Sequence, residues 1–253
     1  MKMTHHPFFN PSQSTAFAAL APARDSTFQY RYFRAHGMRA IPRTLIAIGT
    51  GSAVLSRLSN NFGEDWATYK PTTPFGVVPI LIETSADGKS TIQIAESDAI
   101  ERYLSRKFGL LGNGTVFEEV LVDTFSNNSQ ALITQAFVKY LPISDPELRA
   151  DNKGPLITDN IVPWIMYHEQ HLQANGANGH YVGNSVTLAD VKTDYLINII
   201  QGITGEELVS EEKTPAIWRV RKELEKIEGV AVWRGSEEYK AISEQNFAFL
   251  GFY

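Results

Sequence analysis

The pattern of apolar and polar positions changes character near residue 110. Before it, short runs rich in β-branched and aromatic residues alternate with helical spacings. This pattern predicts a strand, a helix, a second strand, a β-hairpin and a final helix, which together indicate a small α/β domain on a four-stranded sheet. The predicted strands cover residues 28–33, 54–58, 77–82 and 91–94, and the predicted helices cover residues 39–48 and the segment that begins at Ser97.

After a glycine-rich break at residues 109–114, the strand signal disappears and apolar residues recur at helical spacing. Thr187 and Asp190 form a variant of the capping box, which predicts the start of a buried helix. The sequence therefore predicts a flexible N-terminal extension at residues 1–26, an α/β domain at 27–110 and an all-helical domain at 115–253. The predicted helices cover residues 116–140, 156–173, 187–200, 216–227 and 233–242.

Composition narrows the range of functions. The chain has 253 residues, 23 of them basic and 28 acidic, for a net charge of −5. An acidic balance argues against nucleic acid as a partner, because phosphate binding requires a basic surface. The chain contains no cysteine, which excludes disulfides, cysteine-ligated metals and a thiol nucleophile of the protein's own.

The sequence gives no sign of a membrane segment. No apolar run approaches about 18 residues, the length that predicts a transmembrane helix. The N-terminal segment has a short apolar patch at residues 17–21 and one early basic residue, Lys2, which is not typical of a signal peptide. We therefore expect a cytoplasmic protein.

Two short motifs point to ligand binding, although each also has a purely structural interpretation. Pro79 lies inside an apolar strand, which is typical of an edge strand but also of a cis bond that turns the Val78 backbone toward an extended ligand. Ser97, preceded by Glu96, stands where an N-cap is expected. It either only caps the helix or helps the helix N-terminus bind a carboxylate.

Further candidates have structural alternatives of the same kind. Tyr32 ends the first predicted strand and would ordinarily be a core residue, and Tyr30 on the same face is a rival for any role of its hydroxyl. His168 and His171 are spaced like half of a metal site, but without further ligands an exposed helical face is the simpler interpretation.

The order of these motifs resembles that of the glutathione transferases, and most closely the sigma class and its relatives, which use a tyrosine. The resemblance covers residues 28–233, and its most specific element is the Val-Pro pair followed by Glu-Ser. The matching motifs are Tyr32-Phe33, Gly37, Trp66-x-x-x-Lys70, Pro74-Phe75-Gly76, Val78-Pro79, Glu96-Ser97, the segment 183–190 and Val230-x-x-Trp233.

The resemblance implies a thioredoxin-like N-terminal domain followed by an all-helical domain that completes the electrophile site, in a homodimer. It implies an enzyme of detoxification that conjugates the thiolate of reduced glutathione to small hydrophobic electrophiles. Glutathione would be a co-substrate, and neither a cofactor nor a metal is expected. The alternatives are a glutathione-dependent isomerase or peroxidase on the same site, or a non-catalytic member, which would be expected to have lost Tyr32 or the Glu96-Ser97 pair.

The resemblance implies roles for five residues near the reacting thiol of glutathione. Tyr32 would donate its hydroxyl to the thiolate. The backbone of Val78 would pair with the cysteinyl part, with Pro79 in the cis form. Phe33 and Met38 would face the electrophile.

The two ends of the tripeptide would be held by other residues. Trp66 and Lys70 would bind the glycyl carboxylate, while Glu96 and Ser97 would bind the γ-glutamyl end. Asp123 would reach the γ-glutamyl amine across the dimer interface.

The chain departs from the family pattern at three points. Where the family usually has Arg-Gly-Arg, this chain has His36-Gly37-Met38. Glu96 stands where Gln is common, and Val77 stands where Gln or Lys often precedes the Val-Pro pair. These departures bear on substrate preference and glutathione affinity rather than on the fold.

Overall fold

The computed structural model describes residues 13–33, 37, 40–60 and 66–250. Contacts divide the chain into two compact units. The first runs through Phe108 and takes in residues 228–246, and the second covers residues 109–227 and 247–253. The first boundary lies near the predicted one, but the sequence did not predict the return of residues 228–246 to the first unit.

The first unit is built on a four-stranded sheet with the strand order β2-β1-β3-β4, as the sequence predicts. β1 and β2 are parallel, whereas β3 is antiparallel to both β1 and β4. The hairpin between β3 and β4 turns at Gly88, whose φ of +72° favours glycine. The strands are β1 (Thr27–Arg31), β2 (Leu58–Asn60), β3 (Ile80–Thr84) and β4 (Thr91–Ala95).

Helices surround this sheet, and the buried face of each supplies the core. Helix α11 approaches α2 very closely: a Cβ added at Gly229 would lie 1.8 Å from the Ala47 carbonyl oxygen. This close packing is why the segment from residue 228 belongs to the first unit. The helices of this unit are α1 (Gln13–Leu20), α2 (Ala40–Thr50), α3 (Val54–Arg57), α4 (Trp66–Tyr69), α5 (Ser97–Phe108) and α11 (Glu228–Gly235).

The strand predicted at residues 54–58 is wrong. The chain continues from α2 through a 3₁₀ turn at Gly51–Ala53 into α3, and the extended conformation begins only at Leu58. Val54 is fully buried, and α3 contacts α11. Packing against a distant helix has therefore overridden the strand preference of this segment.

Residues 13–26 also differ from the flexible extension that the sequence predicts. Leu20 at the end of α1 is fully buried, and the ring of Phe17 packs edge-on against Tyr103 of α5, with centroids 5.8 Å apart. Lys107 of α5 donates to the carbonyl oxygens of Leu20, at 2.6 Å, and Ala23, at 2.5 Å. These contacts hold the segment against the α/β domain.

Lys107 also belongs to a buried polar cluster. Its ammonium lies 2.9 Å from a carboxylate oxygen of Glu83, and both side chains are almost fully buried. Ser26 and Tyr103 donate to the same carboxylate at 2.5 and 2.7 Å. The cluster thus joins β3, α5 and the residue before β1.

In the described part of the second unit, every regular element is a helix. A π-helical turn at Ala136–Tyr140 continues α6. A second one, at Ile157–Ile161, joins α7 to α8, so the chain stays helical through Pro163. The predicted capping box is confirmed at the start of α9, which is almost wholly buried. The helices are α6 (Val116–Gln135), α7 (Pro146–Leu156), α8 (Val162–Ala174), α9 (Leu188–Thr204) and α10 (Pro215–Glu225).

The last helix, α12 (Glu237–Leu250), follows α11. Among the described residues, no helix is both long and apolar enough to span a membrane.

Candidate functional site

Four strand ends meet at one end of the sheet, and three of the candidate residues directly continue these strands. The C-terminal ends of β1, β2 and β4 lie beside the N-terminal end of β3, because β3 alone runs in the opposite direction. Ile80, the first residue of β3, pairs with the last residue of β1 and with the last residue of β4. Tyr32, Pro79 and Glu96, which continue these three strands, are therefore neighbours.

Tyr32 is half-buried at the end of β1, with its ring close to Gly37. A Cβ added at Gly37 would lie 2.8 Å from the Tyr32 hydroxyl oxygen, and Gly37 has a φ of +39°. The backbone of Gly37 thus lies directly beside the hydroxyl. The sequence marks Gly37 as part of the family resemblance but does not reveal this contact.

Tyr30 does not compete with Tyr32 for a ligand. Its side chain is 0% exposed, inside the core of the first unit. A hydroxyl buried in this way is not accessible to a substrate.

An aromatic row leads from Tyr32 to the short helix α4. The ring of Phe33 is 5.7 Å from that of Tyr32 and 5.5 Å from that of Trp66, and both contacts are edge-on. Trp66 is in turn 6.3 Å from Tyr69. Phe33 is 38% exposed, so it can still present a surface to a ligand.

Lys70 follows α4 immediately, with its side chain alongside the loop before β3. A Cβ added at Gly76 would lie 3.5 Å from Lys70 Cε. Within the described residues the Lys70 ammonium has no hydrogen-bond or ion-pair partner, and the residue is exposed. Its charge is therefore available to an anionic group.

The Val78–Pro79 peptide bond is cis, as expected. Pro79 is buried and Val78 is half-buried, just before the sheet pairing starts at Ile80. The backbone of Val78 thus lies outside the ladder, at the end of the sheet where Tyr32 lies.

Glu96 and Ser97 join β4 to α5, but their roles at the helix start differ from the prediction. The Ile100 amide donates to the Glu96 carbonyl oxygen at 2.9 Å, which makes Glu96 the N-cap and Ser97 the first helical residue. Glu96 has a φ of +71°, unusual for a residue with a side chain. This left-handed turn ends the strand, and the helix begins at Ser97 as predicted, with Glu96 rather than Ser97 as its N-cap.

Both side chains of this pair are available for binding. Within the described residues, neither the Glu96 carboxylate nor the Ser97 hydroxyl has a hydrogen-bond partner. The first amides of α5 lack helical acceptors, as at any helix N-terminus. The arrangement offers hydrogen-bond donors and one carboxylate to an amino-acid-like group.

The two remaining candidate residues lie elsewhere. Asp123 is half-buried on α6 in the second unit. Met38 and its neighbour His36 lie outside the described residues.

His168 and His171 do not form a metal site. His168 Nδ1 lies 2.7 Å from the Tyr181 hydroxyl and Nε2 lies 2.9 Å from Asn128 Oδ1. Because Asn128 Oδ1 can only accept, Nε2 carries the proton and Nδ1 accepts from Tyr181. Burial lowers the pKa of His168 to about 3. Among the described residues no group of three potential metal ligands is found.

The chain was compared with known proteins. Residues 133–237 match the family model described as the glutathione S-transferase C-terminal domain. Over 193 residues the chain is 30% identical to glutathione S-transferase 3 of Caenorhabditis elegans, a match that covers 73% of this chain and 87% of that protein. It is 29% identical over 218 residues to the hematopoietic prostaglandin D synthase of Gallus gallus, covering 81% and 94% of the two chains.

Solved structures agree on the fold. The sigma-class glutathione transferase of Fasciola hepatica superposes with a TM-score of 0.67 at 24% identity, over 84% of this chain and 99% of that one. This neighbour matches the thioredoxin-like and helical architecture that the sequence predicts. With the relatives above, it establishes that the chain belongs to the glutathione S-transferase family.

Proposed function

We propose that the protein is a glutathione transferase that conjugates the thiolate of reduced glutathione to small hydrophobic electrophiles. The observation that supports this most strongly is that Tyr32, Pro79 and Glu96 directly continue strand ends that the register brings together at one end of the sheet. A binding surface assembled at the ends of strands can hold an extended peptide ligand.

In this proposal the tripeptide lies along the end of the sheet. Trp66 and Lys70 bind the glycyl carboxylate, and the backbone of Val78, with Pro79 behind it, pairs with the cysteinyl part. A cysteinyl group bound there lies next to Tyr32, because β1 and β3 are neighbours.

The γ-glutamyl end occupies the start of α5. Glu96 accepts from the amine, while the Ser97 hydroxyl and the first amides of α5 bind the carboxylate. Asp123 of the partner subunit would add a second carboxylate for the amine.

The Tyr32 hydroxyl activates the thiol by donating a hydrogen bond to the thiolate. A free thiol with a pKa of about 8.5 is roughly 3% ionised at pH 7, and a pKa lower by about two would raise that fraction roughly 25-fold. The weaker nucleophilicity of a less basic thiolate costs about 8-fold of this gain. A net gain of about threefold means that most of the acceleration must come from holding the electrophile beside the sulfur.

Phe33 and Met38 would line the electrophile site. Phe33 stands beside Tyr32 and remains partly exposed, which supports this assignment. The chemistry needs no metal and no cofactor beyond glutathione as co-substrate. We further propose a role in detoxification, in the cytoplasm.

A homodimer is part of the proposal. Large apolar side chains remain exposed in both units. Those on α6 are the most exposed, at 81% for Val116 and 71% for Phe117, and in the first unit Phe75 and Val77 are also exposed. Exposed apolar groups of this kind are typical of protein interfaces. A second copy of the chain would cover them.

A glutathione-dependent isomerase is a second candidate, because a relative that matches 94% of its own length is a prostaglandin D synthase. Such an enzyme would use the same thiolate and return glutathione at the end of each cycle. A conjugation reaction consumes one glutathione per product, so the stoichiometry of glutathione loss separates the two functions.

The role of Tyr32 is tested by the pH dependence of conjugation to an aryl halide in the Tyr32→Phe variant. The midpoint of the rate profile should rise by about two pH units, and the rate at pH 6.5 should fall about sixfold. Tyr30→Phe is the matched control, because it removes a hydroxyl on the same strand that a ligand cannot reach.

An unchanged pH profile in Tyr32→Phe would exclude Tyr32 as the partner of the thiolate. Failure of the unmodified protein to bind glutathione would refute the proposed function and favour a non-catalytic member of the family.

A further inference from the structure

Arg31, the last residue of β1, links the strand that carries Tyr32 to helix α4. Its Nη1 donates to the Tyr69 hydroxyl at 3.1 Å, and its guanidinium carbon lies 5.4 Å from the centre of the Tyr69 ring. Its Nε donates to Gln29 Oε1 at 3.0 Å, on the same strand. Arg31 thus contacts Tyr69 through both a hydrogen bond and a cation–π contact.

Tyr69 is the last residue of the short helix α4. The helix has four residues, with Trp66 at its start and Tyr69 at its end, and Lys70 follows directly. A helix of one turn has no stability of its own, so its position depends on contacts with the rest of the fold. Tyr69 is the buried residue of α4 and is 6% exposed.

We propose that Arg31 is a positioning residue for the glycyl end of glutathione. By holding Tyr69 it fixes α4, and with it Trp66 and Lys70, relative to the strand end that carries Tyr32. Arg31 itself does not contact the ligand. The inference rests on the proposed function, because it concerns how two proposed binding residues are held in place.

In this proposal the two ends of glutathione are bound by residues on different structural elements. Arg31 acts on α4, whereas the γ-glutamyl end is assigned to residues on α5, which the hairpin places on the other side of β3. Loss of the Arg31 contact should therefore weaken recognition of the glycyl carboxylate and leave recognition of the γ-glutamyl group unchanged.

The test compares glutathione with γ-glutamylcysteine, which lacks the glycyl residue, in the Arg31→Met variant. We expect the KM for glutathione to rise about 5- to 10-fold with kcat within about twofold, as for the loss of one hydrogen bond of ordinary strength. The KM for γ-glutamylcysteine should stay within about twofold of that of the unmodified protein.

Tyr69→Phe is the second variant, and it keeps the ring and the positive charge of Arg31. If Arg31 acts through Tyr69, this variant should raise the KM for glutathione in the same way, and the double variant should be no worse than Arg31→Met alone. An unchanged KM in Tyr69→Phe beside a raised KM in Arg31→Met would mean that the hydrogen bond from Arg31 to the Tyr69 hydroxyl does not carry the effect, and would overturn the proposal.

Two other results would also overturn it. Equal increases in KM for both peptides would mean that Arg31 supports the whole site rather than its glycyl end, and unchanged values for both would deny it any role. A protein that binds neither peptide before substitution would refute the proposed function itself, so the two failures are distinguishable.

Discussion

At the scale of single residues, the hydroxyl of Tyr32 lies close to a glycine, Gly37. Gly37 combines a left-handed backbone with a distance that leaves no room for a side chain, since an added Cβ would lie 2.8 Å from the hydroxyl oxygen. Gly88 shares the left-handed backbone conformation but not the close contact. Gly88 has a φ of +72° but nothing within 4 Å of an added Cβ.

This difference predicts the effects of Gly37→Ala and Gly88→Ala. Both substitutions should lower the free energy of unfolding by about 1 kcal/mol, because alanine is strained at a positive φ. Only Gly37→Ala should also displace Tyr32 and lower kcat, by about tenfold. The measurements are urea unfolding and conjugation rates. Equal activity of the two variants would show that the Gly37 contact is unimportant for catalysis.

His168 predicts a dependence of stability on pH. Its pKa is about 3 in the folded protein and about 6.5 when unfolded, so the unfolded state binds more protons between these values. The contribution of His168 is complete above pH 6.5 and is lost as the pH falls toward 3. Between pH 7 and pH 5 the free energy of unfolding should fall by about 2 kcal/mol on this account.

The His168→Gln variant checks this prediction, because glutamine can donate and accept without titrating. Its unfolding free energy should fall less between pH 7 and pH 5 than that of the unmodified protein. Gln170→Ala, at an exposed position of the same helix, changes no titratable group, and as the control it should keep the original slope. The same slope in all three proteins would contradict the role of His168.

At the scale of elements, the prediction from sequence succeeded where structure is local. The hairpin with its Asp87–Gly88 turn and the capping box at Thr187 follow from neighbouring residues, and both are confirmed. The prediction failed where the conformation of a segment depends on contacts with residues distant in the sequence. Segment 54–57 is helical because α11 packs on it, and Phe17 and Leu20 of α1 are held by α5, neither of which the local pattern reveals.

The cluster around Lys107 predicts how strongly α1, α5 and β3 are coupled. Lys107→Met should lower the free energy of unfolding by about 3 kcal/mol, because it leaves the buried Glu83 carboxylate without its counter-charge. Lys89→Met is the control, since its ion pair with Asp87 is exposed to solvent and should contribute little to the free energy of unfolding. Similar losses in both variants, measured by urea unfolding, would refute the coupling.

At the scale of the whole molecule, the sequence was sufficient for the architecture, whereas the roles of the candidate site residues stay predictions. The order of strands brings Tyr32, Pro79 and Glu96 together, as the family resemblance implied. The sequence could not reveal that Glu96 rather than Ser97 caps α5, or that Arg31 reaches Tyr69. Both depend on backbone geometry and side-chain direction, which no spacing rule encodes.

The contact between Lys107 and the carbonyl oxygens of residues 20 and 23 has a consequence for how such chains diverge. A descendant that lost the N-terminal segment would keep a lysine with fewer partners, and one that lost the lysine would keep a segment that lacks two of its hydrogen bonds. We therefore expect the segment and the lysine to be inherited together. Their joint presence or absence among relatives would mark a branch of the family.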